Sequence, residues 1–218
     1  MADKRFRIVY EDDWLVVVDK PSGLLVIPTP KKESNTLTGL LNADLDSRGI
    51  EANAYPCHRL DRETSGLIVY AKGKKAQAFV MDEFAARRVK KRYVAFVNGA
   101  IKKDRGVVTN KIFNKNKKRW NEAETRYRVL ERRSAFTILE AEPVTGRTNQ
   151  IRIHFKSIGH PILGDRVFAF GRDFEVRFPR VALHAASLRF THPVTNEEIR
   201  FEAPLPSDMD KLMKGKAR

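Results

Sequence analysis

Apolar and polar residues alternate with a period of two along much of the chain, which is the pattern of half-buried strands. Two short apolar runs, 15–18 and 24–27, flank a Pro-Ser-Gly turn and predict two strands joined there. A third run, 67–71, is apolar throughout. Further strands are predicted at 92–99, 123–131 and 136–144, and a hairpin is predicted to pair 181–192 with 197–204.

The 3.6-residue period of helices recurs in fewer places. It predicts helices at 34–45, 74–88 and 149–159, the first capped by Ser34 or Asn35 and the last ended by Gly159. The apolar face of the second helix consists of Ala76, Phe79, Val80 and Phe84. Strands outnumber helices and do not alternate with them. The fold class is therefore expected to be α+β, with a mixed, mostly antiparallel sheet.

Length and composition indicate a globular protein. A chain of 218 residues with 42% hydrophobic and 32% charged residues can bury a core. We expect one domain over 1–218, which could consist of two lobes. Cys57 is the single cysteine, which excludes an intramolecular disulfide and favours a reducing compartment. The first residues lack the apolar segment of a signal peptide, and no apolar run is long enough to span a membrane. We therefore expect a cytoplasmic protein.

Positive charge is concentrated in one part of the chain. The formal net charge of the chain is +15. Residues 87–133 contain 17 Lys/Arg and 4 Asp/Glu, a net charge of +13, which leaves +2 for the rest of the chain. A dense positive region favours a polyanion, although a merely solubilising face is the alternative. Aromatic residues that could stack on bases are interleaved with these charges: Tyr93, Phe96, Phe113, Trp120 and Tyr127. Nucleic acid is the expected partner, and the segment 100–120, polar and glycine-punctuated, is predicted to be a hairpin or a mobile arm.

Several common cofactor and catalytic motifs are missing from the sequence. It contains no G-x-G dinucleotide fingerprint, no Walker-type phosphate loop and no G-x-S-x-G elbow. Its five histidines are scattered, without an H-E-x-x-H pair or thiolate partners. We therefore expect chemistry by ordinary side chains, with no cofactor and no metal.

The run His58-Arg-Leu-Asp-Arg-Glu63 places Asp61 between two arginines at the entrance of the apolar run 67–71. One interpretation is structural, because Asp61 could form an ion pair with Arg59 or Arg62 or cap a turn. The other is functional: neighbouring cations favour the ionised carboxylate, which is then available as a nucleophile or base. The motif alone leaves both open.

The wider sequence resembles the RluA-type pseudouridine synthases. HRLDRETSGLIVYAK (58–72) is similar to the hallmark of that family, and four further stretches follow the family's order: DKPSGL (19–24), KRYVAFVNG (91–99), GRTNQIRIHF (146–155) and GHPILGDRVF (159–168). The resemblance covers about 10–204. It implies a catalytic domain with a central sheet around a basic cleft, which isomerises uridine in RNA without cofactor or metal.

The resemblance also implies roles for individual residues. Asp61 is the catalytic residue, either attacking the sugar at C1′ or removing a 2′ proton to give a glycal. Arg152 pairs with this carboxylate, and Arg59 fills the stack that the flipped uridine leaves. Tyr93 lies against the flipped base and is the candidate for taking the C5 proton. Leu183 packs against the pocket.

The chain departs from the family pattern at two positions, with Asn149 in place of the usual His and Phe168 in place of the usual Tyr. It also starts almost directly at the catalytic block, so we expect a stand-alone domain without the S4-like module, acting as a monomer. The expected substrate is ribosomal RNA or tRNA, with no membrane and no DNA partner. Rival hypotheses are a non-catalytic RNA-binding protein and a DNA glycosylase.

Overall fold

The computed structural model describes residues 6–29, 33, 35–114, 117–171 and 174–215. They form two compact units: a first unit of the chain up to Lys90 together with Ala185–Pro204, and a second unit of Lys91–His184 together with the segment from Leu205. The expectation of a single catalytic domain over 1–218 stays a prediction.

Ten strands and four helices are named within the described part of the chain. In chain order they are β1 (Arg7–Glu11), β2 (Leu15–Lys20), α1 (Leu37–Ser47), β3 (Tyr55–Pro56), β4 (Ser65–Ala71), α2 (Lys74–Ala85), β5 (Lys90–Asn98), β6 (Arg105–Asn114), β7 (Arg119–Arg132), β8 (Phe136–Pro143), α3 (Gln150–Ser157), β9 (Leu183–Thr191), β10 (Glu198–Glu202) and α4 (Ser207–Met213). The strand pairs whose direction the structure describes are antiparallel. The predicted α+β fold with a mostly antiparallel sheet is confirmed.

The first unit is built on the strand order β1-β2-β4-β9, with β3 on β4 and β10 on β9. Every residue of β4 is buried, as its uninterrupted apolar sequence predicts. Val69 of β4 and Val17 of β2 pair in register and share one core cluster with Ala76 and Val80 of α2. This packing fixes β4, whose first residue lies four positions after Asp61.

The predicted strand at 24–27 is wrong. Only Leu25 forms a bridge, to Thr36. The Leu24 carbonyl accepts a hydrogen bond from the Lys20 ammonium at 2.8 Å, and the Val26 carbonyl accepts one from the Thr38 hydroxyl at 2.7 Å. The Leu25 and Val26 carbonyls also accept the backbone N–H groups of Leu37 and Thr38, so the segment is bonded to the start of α1 and not to a neighbouring strand.

Helix α1 also starts later than predicted. Thr36 is its N-cap, with the hydroxyl oxygen accepting the Gly39 N–H at 3.2 Å. Ser34 lies outside the described residues, and Asn35 is exposed and precedes the cap. Helices α2 and α3 lie within their predicted ranges.

The second unit is a meander with the strand order β5-β8-β7-β6. Helix α3 packs against the β6–β7 hairpin, where Asn110 Nδ2 donates to Ser157 Oγ at 2.6 Å. Helix α4 is held by Arg180, which forms hydrogen bonds of 2.6 and 2.8 Å to the Asp208 carboxylate. Of the two alternatives for 100–120, the structure shows the hairpin.

No helix in the described part of the chain is both long and apolar enough to cross a bilayer. Within the same residues, no cluster of three or more His, Cys, Asp or Glu side chains is arranged to hold a metal ion.

Candidate active site

Asp61 lies in the loop between β3 and β4, in the first unit. Its side chain is half-buried, and its backbone carbonyl accepts the Thr64 N–H at 3.1 Å, which closes a turn at the entrance of β4. Arg59, two positions earlier, is exposed. The loop therefore places the Asp61 carboxylate two positions after the solvent-facing guanidinium of Arg59.

The second arginine of the motif has a different environment. Arg62 forms an ion pair with Glu33, so its charge is already partly compensated. Arg59, by contrast, has no ion-pair partner among the residues that the structure describes. The two arginines that flank Asp61 are thus not equivalent, and Arg59 is the one available to a polyanion.

Lys20 fixes the backbone of the Asp61 loop. It is fully buried, and its ammonium donates hydrogen bonds to the carbonyls of Pro21 and Leu24, both at 2.8 Å, and of Arg62 at 3.1 Å. A buried ammonium needs such acceptors, because an unsatisfied charge inside the protein costs several kcal/mol. The hydrogen bond from Lys20 to the Arg62 carbonyl, 42 positions further along the chain, links the DKPSGL stretch to the Asp61 loop.

The turn after Lys20 adds two further bonds to the same loop. The Gly23 N–H donates to the Arg62 carbonyl at 2.8 Å, and the Ser22 hydroxyl donates to the Glu63 carbonyl at 2.7 Å. Gly23 has a φ of 84°, which favours glycine. We did not single out Lys20 from the sequence; the available signal was a lysine ending an apolar strand directly before a Pro-Ser-Gly turn.

His58 and Cys57 have structural roles in the first unit. His58 Nε2 accepts the Val69 N–H at 3.1 Å, so that nitrogen carries no proton, and the ring packs on Phe84 with centroids 4.6 Å apart. Burial raises the pKa of the Cys57 thiol to about 12. These observations indicate an orienting role for His58 and a packing role for Cys57.

Gly66 lets β4 approach β9 more closely than other residues allow. A Cβ at this position would lie 2.3 Å from the Ala185 carbonyl oxygen, and φ is +109°.

We expect Gly66→Ala to lose roughly 1–3 kcal/mol more unfolding free energy than Gly49→Ala, in urea titrations of both. Gly49 is the matched control because its φ is also positive, +71°, but nothing lies within 4 Å of its Cβ position. Equal losses in the two variants would show that the close approach to Ala185 is not what requires glycine.

Tyr93 lies on β5 in the second unit, opposite Ala141 of β8, and only 9% of its surface is exposed. Lys91 is two positions earlier and therefore on the same face of the strand. Burial lowers the pKa of Lys91 to about 8, although the nearby Glu142 carboxylate opposes this shift. The face of β5 that carries Tyr93 thus also carries an amine whose pKa is lowered by burial.

Arg152 is buried on α3 and is held by Asp165. Its Nε donates to Asp165 Oδ2 at 2.8 Å and its Nη2 to Oδ1 at 2.9 Å, and both side chains are almost inaccessible to solvent. Burial alone would raise the pKa of Asp165, but the hydrogen bonds and charge of Arg152 hold it below its ordinary value. The sequence did not lead us to Asp165. The predicted pairing of Arg152 with Asp61 stays a prediction.

Both departures from the family pattern contact Arg152. Asn149 Oδ1 accepts a hydrogen bond from Arg152 Nη1 at 2.9 Å, and the Phe168 ring lies under the guanidinium, 5.0 Å from its central carbon. Asn149 has a left-handed backbone, φ 56° and ψ 20°, which asparagine tolerates better than most residues. The two substitutions therefore set the environment of one buried arginine.

Leu183 begins β9 and is 3% exposed. The preceding residue, Ala182, donates its N–H to the Leu163 carbonyl at 2.9 Å and accepts the Phe96 N–H at 3.0 Å. Leu183 is thus held rigidly within the second unit. The structure places Arg59 and Asp61 on one loop of the first unit, and Tyr93, Arg152 and Leu183 in the second.

Comparison with known proteins identifies the family of this chain. The family model described as RNA pseudouridylate synthase matches residues 14–157. A ribosomal large subunit pseudouridine synthase D of Nitrosomonas europaea is 40% identical over 95% of this chain and 64% of that protein. The uncharacterized RNA pseudouridine synthase YlyB of Bacillus subtilis is 39% identical over 94% of this chain and 71% of its own length.

A solved structure supports the same assignment. The human RNA pseudouridylate synthase domain containing 4 superposes with a TM-score of 0.81 at 26% identity, covering 96% of this chain and 92% of the human one. The chain thus spans about two thirds of the length of the curated relatives described and nearly the whole of this structure. It belongs to the RNA pseudouridylate synthase family.

Proposed function

We propose that this protein isomerises specific uridines of ribosomal RNA to pseudouridine, with Asp61 as the catalytic residue. The observation that carries the proposal is the Asp61 loop, in which a half-buried carboxylate follows an exposed arginine on a backbone fixed by the buried Lys20. Family membership supports the reaction type. The ribosomal substrate is supported by the name of the relative from Nitrosomonas europaea, and tRNA is the second RNA to test.

The reaction starts from a well-placed carboxylate and ordinary side chains complete it. The N1–C1′ bond breaks, the uracil turns, a C5–C1′ bond forms, and the C5 proton is lost while N1 gains one, so that no atom or electron is supplied from outside. Asp61 starts this sequence by attacking C1′ or by removing the 2′ proton; both routes remain open. Both need the ionised carboxylate, because a protonated one is neither nucleophile nor base.

The remaining roles are assigned from the family resemblance. Tyr93 takes the C5 proton, Leu183 packs against the uracil pocket, and Arg152 favours the ionised form of Asp61. The geometry of the second unit supports a fixed guanidinium, because Asp165 and Asn149 hold Arg152 through three hydrogen bonds of 2.8–2.9 Å.

A stacked uridine must leave the RNA helix to react, at a cost of a few kcal/mol. We propose that the guanidinium of Arg59 takes its place in the stack. We expect Arg59→Lys to lower kcat/KM on folded RNA about tenfold, because lysine keeps the charge but not the planar group, and to act almost normally on an unstructured oligonucleotide. The measurement is kcat/KM on both RNAs.

Arg62→Lys is the matched control for this experiment, because it lies on the same loop and keeps its ion pair with Glu33. It should act on both RNAs like the wild type. Equal activity of Arg59→Lys and wild type on folded RNA would contradict the stacking role of Arg59.

Product analysis distinguishes the proposed reaction from its rivals. Purified protein is incubated with a large-subunit ribosomal RNA transcript and a tRNA mixture. The digested nucleosides are separated by liquid chromatography, because uridine and pseudouridine have the same mass, and are then detected by mass spectrometry. An isomerase yields pseudouridine at unchanged RNA mass and no free base. Release of free uracil would indicate a glycosylase instead, and binding without either product would indicate a non-catalytic RNA-binding protein.

A further inference from the structure

The β6–β7 hairpin has one packed face and one open face. Pairing runs from Arg105 opposite Arg128 to Asn114 opposite Arg119. On the inner face Val108, Ile112 and Ala123 are buried, with at most 6% of their surface exposed. The outer face presents polar and charged residues to solvent, and it also carries two large aromatic rings near the turn.

These two rings form a cross-strand pair. Phe113 lies opposite Trp120, their ring centroids are 5.3 Å apart, and the planes are tilted by 58°. Phe113 is 44% exposed and Trp120 is 64% exposed. Three other aromatic residues were candidates for base stacking from the sequence. Of these, Phe96 and Tyr93 are buried and Tyr127 packs on Phe155, so the accessible candidates are Phe113 and Trp120.

Hairpin stability alone does not explain this arrangement. An aromatic cross-strand pair contributes about 0.2–1 kcal/mol relative to alanine. That contribution needs contact between the two rings, whereas more than half of the Trp120 surface remains in water. The exposed ring surface is therefore free for another planar group.

The charge around the pair is positive. On the outer face Glu124 is neutralised by Arg126 at 3.0 Å, and Glu122 by Lys111 at 3.6 Å. Lys117 and Lys118 lie in the turn between β6 and β7, Arg119 is the first residue of β7, and all three are exposed. Aromatic rings within a positive field are the usual combination for single-stranded nucleic acid, in which the backbone is attracted and the bases stack.

We propose that the Phe113–Trp120 pair binds unpaired nucleotides of the RNA substrate by base stacking. The proposal rests on the proposed function, because it takes RNA as the ligand, and it deepens that function by naming the RNA feature recognised. Bases within a duplex are covered by their neighbours and expose no face to a protein ring. The hairpin therefore selects RNA that contains an unpaired loop, bulge or end.

Tryptophan fluorescence tests the proposal directly. The chain has two tryptophans, so Trp14→Phe leaves Trp120 as the only one. This variant is titrated with a single-stranded oligouridylate of about eight nucleotides and with a duplex RNA of equal charge. We expect the single strand, and not the duplex, to quench Trp120. Absence of quenching by the single strand, or equal quenching by the duplex, would overturn the proposal.

A double variant separates stacking from charge. Phe113→Thr with Trp120→Thr removes both rings and keeps the strand propensity and every charge, and Val107→Thr on the same face is the matched control. We expect the double variant to bind the oligouridylate about tenfold more weakly or worse, and the control to bind like the wild type. Unchanged affinity of the double variant would also overturn the proposal.

The Asp61→Asn variant distinguishes a failure of the stacking proposal from a failure of the isomerase proposal. The variant lacks the proposed catalytic carboxylate but retains the hairpin, so it should bind and quench normally while forming no pseudouridine. Failure of the isomerase proposal would leave the quenching intact, whereas failure of the stacking proposal would leave pseudouridine formation intact.

Discussion

Replacing Asp61 by asparagine is expected to reduce pseudouridine formation on the order of 10⁴-fold or more, as removal of a single essential catalytic group does in other enzymes. Asparagine has the same shape but is neither a nucleophile nor a base at neutral pH. The backbone carbonyl that closes the turn with Thr64 is unchanged, so folding should be preserved. Single-turnover release of tritium from [5-³H]uridine RNA measures the loss, and thermal unfolding checks the fold.

Glu63→Gln is the matched control for Asp61→Asn. Glu63 lies on the same loop and is also half-buried, and its contact with Ser22 uses its backbone carbonyl. The control should therefore retain activity near that of the wild type. An Asp61→Asn variant with wild-type turnover would exclude Asp61 as the catalytic residue, and loss of activity in Glu63→Gln as well would point to damage of the loop instead.

Replacing Asp165 by asparagine is expected to cost about 3–5 kcal/mol of unfolding free energy, because it removes the buried carboxylate that accepts two hydrogen bonds from the buried Arg152. Asp165 Oδ1 also accepts the Val167 and Phe168 N–H groups at 3.0 and 3.1 Å, so the amide oxygen of asparagine must take that place. The amide nitrogen then faces Arg152 Nε, which places two donors against each other. Urea or thermal denaturation measures the loss.

The pair formed by Arg180 and Asp208 provides a matched control. It has the same bidentate geometry, but the Asp208 side chain is 34% exposed, compared with 1% for Asp165. Because solvent compensates a broken exposed pair, Asp208→Asn should cost much less. If Asp208→Asn destabilised the protein as much as Asp165→Asn, burial of the Arg152 pair would not be the reason for its importance.

The stability difference between wild type and Asp165→Asn should also depend on pH. The folded protein lowers the pKa of Asp165, so the stabilisation that the carboxylate provides is complete above its ordinary pKa of 3.8 and is lost as the pH falls through the lower, folded value. The difference should therefore be constant near neutrality and shrink in acid.

The sequence predicted those parts of the fold that depend on local pattern. The buried strand β4, the hairpin of β9 and β10 and the apolar face of α2 follow from the spacing of apolar residues. The segment 24–27 has an equally apolar pattern but is not a strand, because its carbonyls accept hydrogen bonds from Lys20 and from the start of α1. A contact between the Lys20 side chain and a backbone 42 positions away is not encoded in any local period.

The same distinction applies to the candidate site. The loop of Asp61 and Arg59 was found because its residues are contiguous and resemble a family motif. Asp165 was missed as the partner of Arg152, since the two are 13 positions apart and only the fold brings them together. Likewise, the sequence shows Asn149 and Phe168 as departures from the family pattern, but only the fold shows that both contact Arg152.

The central claim is that Asp61 converts uridine to pseudouridine in RNA. Its most direct test is carbodiimide mapping of pseudouridine in cells that lack this protein, complemented with the wild type or with Asp61→Asn. We predict that specific ribosomal RNA sites disappear in the deletion and return only with the wild type. Sites that do not change in the deletion, or that Asp61→Asn restores, would contradict the claim.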